Sequence, residues 1–193
     1  MRRTPLQERS NETVHRIMEA GSSLLTKIPL EQITTNRIAQ EADLSVGGLY
    51  RFFPDKQAIV DAIAIGYMEQ FRIRLEQEFS GALPEDGPEF LSRVIDLYIE
   101  FLDAHPDFRT IALGKHVSGW TYEQQAGPGG LVGSFLLAQF AVPGMEEIEL
   151  KLRIVVEAGE RLISFAYQQK TSDARREVIQ EMKKLLSGYL FQA

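Results

Sequence analysis

From Val14 to Ile28 the apolar residues Val14, Ile17, Met18, Gly21, Leu24, Leu25 and Ile28 recur at spacings of three and four. That interval lays one apolar stripe along a helix of four or five turns. Pro29 ends the helix. Thr34 or Thr35 can cap a second helix with Ile38, Ala39 and Ala42 inward, and Asp43 stops it after about two turns. A third, equally short helix begins after Ser45 and ends before Pro54, and Asp55 caps a long fourth one carrying Ile59, Ala62, Ile63, Gly66, Phe71 and Leu75. Helical spacing continues almost to the end of the chain, so the expected class is all-α.

The composition is that of a folded protein: 193 residues, 44% hydrophobic and 25% charged. Without cysteine there is neither a disulfide framework nor a thiolate metal site, and the three histidines show no metal-ligand spacing, so no metal and no cofactor is expected. The opening "MRRTPLQERSNETV" lacks an apolar run after its arginines, and no stretch of 18 apolar residues follows. A soluble cytoplasmic protein with no membrane partner is expected. The net charge of −6 is uneven: residues 1–56 carry 8 Lys+Arg against 7 Asp+Glu, whereas residues 57–193 carry 13 against 20. An acidic body repels a phosphate backbone, so contact with nucleic acid is confined to the N-terminal quarter.

Two short helices joined by "DLS" and braced by longer ones form a helix-turn-helix unit, in which the second short helix is presented to a DNA groove. Gly47 and Gly48 lie in the first turn of that helix. An interior glycine costs a helix roughly 1 kcal/mol relative to alanine, so something gains from the missing side chains. Close approach of the backbone to a phosphate or base edge is one gain; relief of crowding between the short helices is the other.

The residues around the glycines carry a resemblance. "TTNRIAQEADLSVGGLYRFFPDKQAIVDAI", residues 34–63, resembles the DNA-binding segment of the TetR family of transcriptional repressors, with Ile38, Ala39, Ala42, Ser45, Leu49, Tyr50, Phe53 and Lys56 in register. Asp43 stands at the family's usual turn glycine, and Asp tolerates the left-handed conformation better than most side chains. The resemblance implies a helix-turn-helix at about 34–53 within a three-helix DNA-binding domain over residues 10–70, followed by a larger helical effector-binding and dimerisation domain over 71–193. It implies double-stranded operator DNA, a small-molecule effector and a second copy of the chain as partners. Among the implied DNA contacts, Thr35, Asn36 and Arg37 reach the backbone or a base edge, Arg37 suiting guanine and Asn36 adenine. Ser45, Val46, Gly47 and Gly48 open the recognition helix, Val46 offering a methyl contact to thymine, and Tyr50 and Arg51 project towards phosphates. A lysine at the start of a helix opposes the macrodipole unless an anion arrives there, which marks Lys56 as a phosphate ligand. Leu49, Phe52 and Phe53 read as core.

Beyond residue 80 the helices have another task. Residues 172–192 show one clean apolar stripe, whereas 146–168 is apolar over much more of its circumference and is expected to be covered on two sides. In the TetR family the last two helices pair with their copies as a four-helix bundle. Val155, Leu162, Val178, Met182, Leu185 and Tyr189 are the interface residues expected on that basis. Aromatic residues concentrated between 98 and 140 suggest an apolar or aromatic effector with one or two polar handles, and Phe101, Phe108, His116, Trp120, Phe135, Gln139 and Phe165 are its candidate contacts. Rival readings are a small helical enzyme using Glu157, Glu160 and Arg161, for which solvated charge is the simpler account, and a ligand-binding dimer without DNA readout. Neither gives Arg37, Tyr50, Arg51 and Lys56 a reason to converge, so no enzymatic activity is expected.

Overall fold

A computed structural model describes residues 5–81, 86–114, 116 and 146–191. The helices are α1 (Pro5–Lys27), α2 (Thr35–Glu41), α3 (Val46–Tyr50), α4 (Lys56–Glu78), α5 (Gly87–Ala104), α6 (Pro106–Leu113), α7 (Glu146–Tyr167) and α8 (Ser172–Phe191), with a single 3₁₀ turn at Leu30–Gln32. Among the described residues there is no strand, as the helical periodicity predicts.

These residues cluster as two compact units. One holds the chain up to Tyr67 together with residues 105–114 and His116; the other holds Met68–Ala104 with 146–191. α6 therefore belongs with the N-terminal helices, although α5 before it and α7 after it do not.

In the first unit the stripe of α1 buries Ile17, Leu24 and Leu25 against Ile38 and Ala39 of α2, Leu49 of α3, Ile59, Val60, Ile63 and Ala64 of α4 and Ile111 of α6. α1 begins at Pro5, well ahead of the first stripe residue Val14. A proline is well tolerated in a first helical turn, where its missing N–H would have no partner. Gly21 marks a close approach of α1 to α4: a Cβ there would stand 2.8 Å from Ile63 Cδ1 and 3.3 Å from Ile59 Cγ2. Both the expected caps form, since Thr34 Oγ1 accepts from the Arg37 N–H at 3.3 Å and Asp55 Oδ1 from the Ala58 N–H at 2.8 Å.

In the second unit Phe71 of α4 meets Tyr98 and Phe101 of α5, each with ring centroids 5.2 Å away, and Phe79 meets Phe90 at 4.7 Å. Tilted pairs at this separation add modestly to the area they bury. α8 lies between α5 and α7 in the contact pattern. It is tied to α5 by Lys183 Nζ on Asp96 at 2.6 Å and by Arg175 Nη2 on Asp103 at 2.7 Å. The Arg175 guanidinium also covers the Tyr167 ring at 3.9 Å, while Tyr167 donates its hydroxyl to Asp103 at 2.8 Å.

The first unit generates a graded expectation. Leu49 is fully buried and central to the cluster, so Leu49→Ala should cost about 2–5 kcal/mol. Asp55→Ala removes only a cap and should cost about 1 kcal/mol. Denaturant melts of the two variants give the ranking directly, and equal losses would contradict the central position of Leu49.

Candidate nucleic-acid interface

The geometry starts at the end of α2. Asp43 adopts φ 53, a left-handed conformation that side chains other than glycine, asparagine and aspartate rarely take. The Leu44 N–H reaches back to Ala39 O at 2.8 Å and the Asp43 N–H to Gln40 O at 3.1 Å. This paired pattern is a Schellman ending, formed here without glycine. It reverses the chain within two residues, and Ser45 then opens α3 by accepting the Gly48 N–H at 3.0 Å.

α3 is only five residues long, and its two faces differ sharply. Leu49 goes inward, followed by Phe53, while Val46 and Tyr50 remain 37% and 50% exposed. Leu49 and Phe53 are thus core and Phe52 partly buried, while Val46, Gly47, Tyr50 and Arg51 face solvent and Gly48 is half-buried. Gly47 separates the two accounts of the glycine pair: a Cβ built there would meet nothing within 4 Å. Crowding inside the protein does not explain it. At Gly48 the near neighbour is the cap itself, Ser45 Oγ at 3.1 Å, so that glycine also clears the capping hydroxyl.

Around α3 the structure gathers several of the expected polar side chains. Thr35 Oγ1 lies 3.1 Å from the Tyr50 hydroxyl, joining the start of α2 to α3. Asn36 and Arg37 are exposed beside Thr35, and Arg37 Nη1 donates to Gln32 O at 3.1 Å. Arg51 is exposed with its guanidinium carbon 6.0 Å from the Phe52 ring centre. Lys56 Nζ donates to Leu30 O at 3.0 Å. An anion at Lys56 is therefore not the only answer to the macrodipole, because a carbonyl within the α1–α2 connection supplies partial negative charge. Sequence spacing could not disclose it, since the two residues are 26 apart. Nearby, Lys27 and Ser23 of α1 hold Glu41 at 2.7 and 2.9 Å, and the Lys27 bond keeps that carboxyl below the usual carboxylate range.

The expected effector residues that are described belong to both units. Phe101 is buried beside Phe71 in the second unit, while Phe108 is buried beside Tyr67 in the first, with ring centroids 5.2 Å apart. His116 belongs to the first unit and accepts the Gln57 side-chain N–H on its carbonyl at 2.6 Å. Trp120, Phe135 and Gln139 lie outside the described residues. Sequence spacing does not disclose the polar neighbours of Phe108: the Tyr67 hydroxyl donates to Asp107 Oδ2 at 2.6 Å, and the His105 ring stands 4.8 Å from that of Tyr67. Burial first, and the Asp107 bond second, push the Tyr67 phenol well above its usual range. An aspartate just after Pro106 reads as an ordinary first-turn acid; only the fold reveals that it is buried.

Phe165 and Val155 differ in exposure from what their expected roles suggest. Val155 is 2% exposed within the single chain and has almost no surface to offer a second copy. Phe165 is 46% exposed and lines an open groove of about 560 Å³ with Leu162, Val178, Met182 and Leu185. It lies with four residues of the expected interface set. α7 is apolar around most of its circumference, which leaves the direction of each face to tertiary contacts.

The comparisons bear on the chain from end to end. The profile of the bacterial regulatory proteins of the tetR family matches residues 17–63, and that of the tetracyclin repressor-like C-terminal domain matches residues 85–193. No curated protein matches the sequence. Among solved structures, a TetR-family transcriptional regulator from Streptomyces coelicolor is similar with a TM-score of 0.75 at 22% identity, covering 92% of this chain and 97% of that one. The fatty acid degradation regulator FadR from Bacillus halodurans gives 0.68 at 14% identity, covering 96% of each chain. RolR in complex with resorcinol gives 0.65 at 13%, covering 97% of each. Identities this low establish the fold alone, but the two profiles together take in the helix-turn-helix and everything from α5 onward, and this chain belongs to the TetR family of bacterial transcriptional regulators.

Proposed function

We propose that the protein is a cytoplasmic, ligand-responsive repressor that binds a near-palindromic operator as a homodimer and is released by a small apolar or aromatic effector. The observation that carries DNA binding is Gly47, an exposed glycine with open space where its side chain would be, on a helix whose outward residues are Val46 and Tyr50. A helix gains nothing from such a glycine unless an outside surface comes close. In this reading Val46 meets a base edge, Gly47 and Gly48 admit the DNA, and Ser45 serves chiefly as cap. Thr35, Tyr50 and Arg51 meet phosphates, the hydroxyl pair fixing the Tyr50 ring. Asn36 and Arg37 read bases, with Arg37 retaining guanidinium donors beyond the one given to Gln32. Lys56 retains two ammonium protons for a phosphate after serving Leu30.

Dimerisation is supported by the apolar residues that α7 and α8 leave uncovered: Leu150, Ile154, Phe165, Leu185 and Tyr189 are all exposed. A single short helix contacts too few base pairs for tight binding, so two reading heads on a twofold axis, about 34–36 Å apart, are needed. An apolar or aromatic effector is supported by the aromatic character of the second unit, and by resorcinol bound to RolR, a protein of similar fold. α4 carries residues of both units in one helix. A ligand that prefers a different position of α4 changes DNA affinity, and a coupling of about 1–3 kcal/mol corresponds to roughly 5- to 150-fold.

Two variants test this reading. Gly47→Ala should leave the fold unchanged or up to about 1 kcal/mol more stable, while weakening binding to the operator about tenfold because the new methyl displaces a close contact. Thermal melts beside duplex titrations check it, and full affinity in a stabilised variant would remove the close-approach account. Leu185→Asp alters a side chain 61% exposed in the protomer, so the fold should survive while the dimer loses several kcal/mol by burying unpaired charge. Sedimentation should show folded monomers at micromolar concentration, with operator binding lost alongside. A folded monomer that binds the full site as tightly as the parent would refute dimeric recognition.

A further inference from the structure

Arg16 lies on the exposed side of α1 and reaches across to the α2–α3 turn. Its Nη2 donates to Ala42 O at 2.5 Å and to Asp43 O at 3.2 Å. These carbonyls flank the peptide unit that carries the positive φ at Asp43. The Schellman pair consumes Ala39 O and Gln40 O, so the guanidinium engages two later carbonyls of the reversal, close to where α2 places its negative dipole end.

We propose that Arg16 is a positioning residue for α3: it holds the strained Asp43 turn in the one conformation that aims the reading helix outward. A side chain in the left-handed region stores strain and persists only where its surroundings over-determine it. At Asp43 the surroundings are the two backbone bonds within the turn and the charged donor from α1. Leu44 and Ser45 follow directly, and Ser45 caps α3. The orientation of Val46, Gly47 and Tyr50 is therefore downstream of this turn. A glycine at position 43 would relax there without help, so the need for Arg16 should depend on what occupies position 43. The inference rests on the DNA-binding reading for its functional consequence and on the turn alone for its structural one.

The test is a two-by-two set of wild type, Arg16→Met, Asp43→Gly and the double variant. Each is titrated at several salt concentrations with a duplex that the wild-type protein enriches from a random-sequence pool, and each is followed by amide hydrogen exchange. Arg16→Met should bind the enriched duplex about tenfold more weakly, with the slope of affinity against salt unchanged. Exchange of the Asp43 and Leu44 amides should quicken about tenfold. In the Asp43→Gly background both effects should shrink to within about threefold. Equal losses in both backgrounds, or a salt slope lower by about one, would make Arg16 a phosphate ligand and overturn the positioning role. Unchanged exchange at Asp43 and Leu44 would overturn it too. If the wild-type protein enriches no duplex, the DNA-binding reading fails, and the exchange comparison still decides whether Arg16 holds the turn.

Discussion

A five-residue helix does not stand in water on its own, because nucleation costs more than one turn of hydrogen bonds returns. α3 exists because its neighbours capture it. Leu49 is drawn fully into the cluster formed by α1, α2, α4 and α6, Phe53 follows it inward, and Ser45 satisfies one of the N–H groups that the first turn leaves open. The remaining positions of α3 are relieved of any packing duty. Val46 and Gly47 can then face outward on a helix too short to have an interior of its own. The core of the first unit thus exists in large part to hold one exposed turn and a half of helix still.

Much of that unit is legible in the sequence because its rules are local. The three-and-four spacing of Ile17, Leu24 and Leu25 yields the buried stripe of α1, and Thr34, Ser45 and Asp55 cap where hydrogen-bonding side chains precede apolar runs. Asp43 in the left-handed region follows from its place between two short helices. What escapes is whatever depends on residues far apart in the chain. Lys56 on Leu30 O, Arg16 on the α2–α3 turn and Tyr67 on Asp107 join segments 26 to 40 residues apart, and no periodicity encodes them. The burial of Val155 and the exposure of Phe165 escape for the same reason, since a helix apolar on most sides does not announce which side its own chain will cover.

The two units use polar groups differently. In the second, Arg93 joins Glu78 at 2.6 Å to Glu100 at 3.1 Å, and Arg74 meets the same Glu100 at 2.5 Å, all at partly exposed positions. Surface pairs of this kind contribute about 0–1 kcal/mol each and weaken with salt. They fix the register of α4 on α5 more than they stabilise it. In the first unit Arg16, Arg37 and Lys56 end on main-chain oxygens instead, while Lys27 pairs with Glu41. Arg16, Arg37 and Lys56 are thereby oriented by carbonyls, which carry no net charge, and the positive charge of these three side chains is kept.

The Tyr67–Asp107 bond gives the junction of α4 and α6 a property that apolar packing lacks. Asp107 is the one charged residue buried among the described residues, and it sits in the first turn of α6, where the helix dipole favours its negative charge. Apolar contacts weaken gradually as surfaces slide. A buried carboxylate parted from its phenol must instead find water at once, because leaving the group bare costs several times what the bond itself contributes. The junction therefore has a threshold: small strains are absorbed with the bond intact, and a large one opens it together with an entry path for solvent.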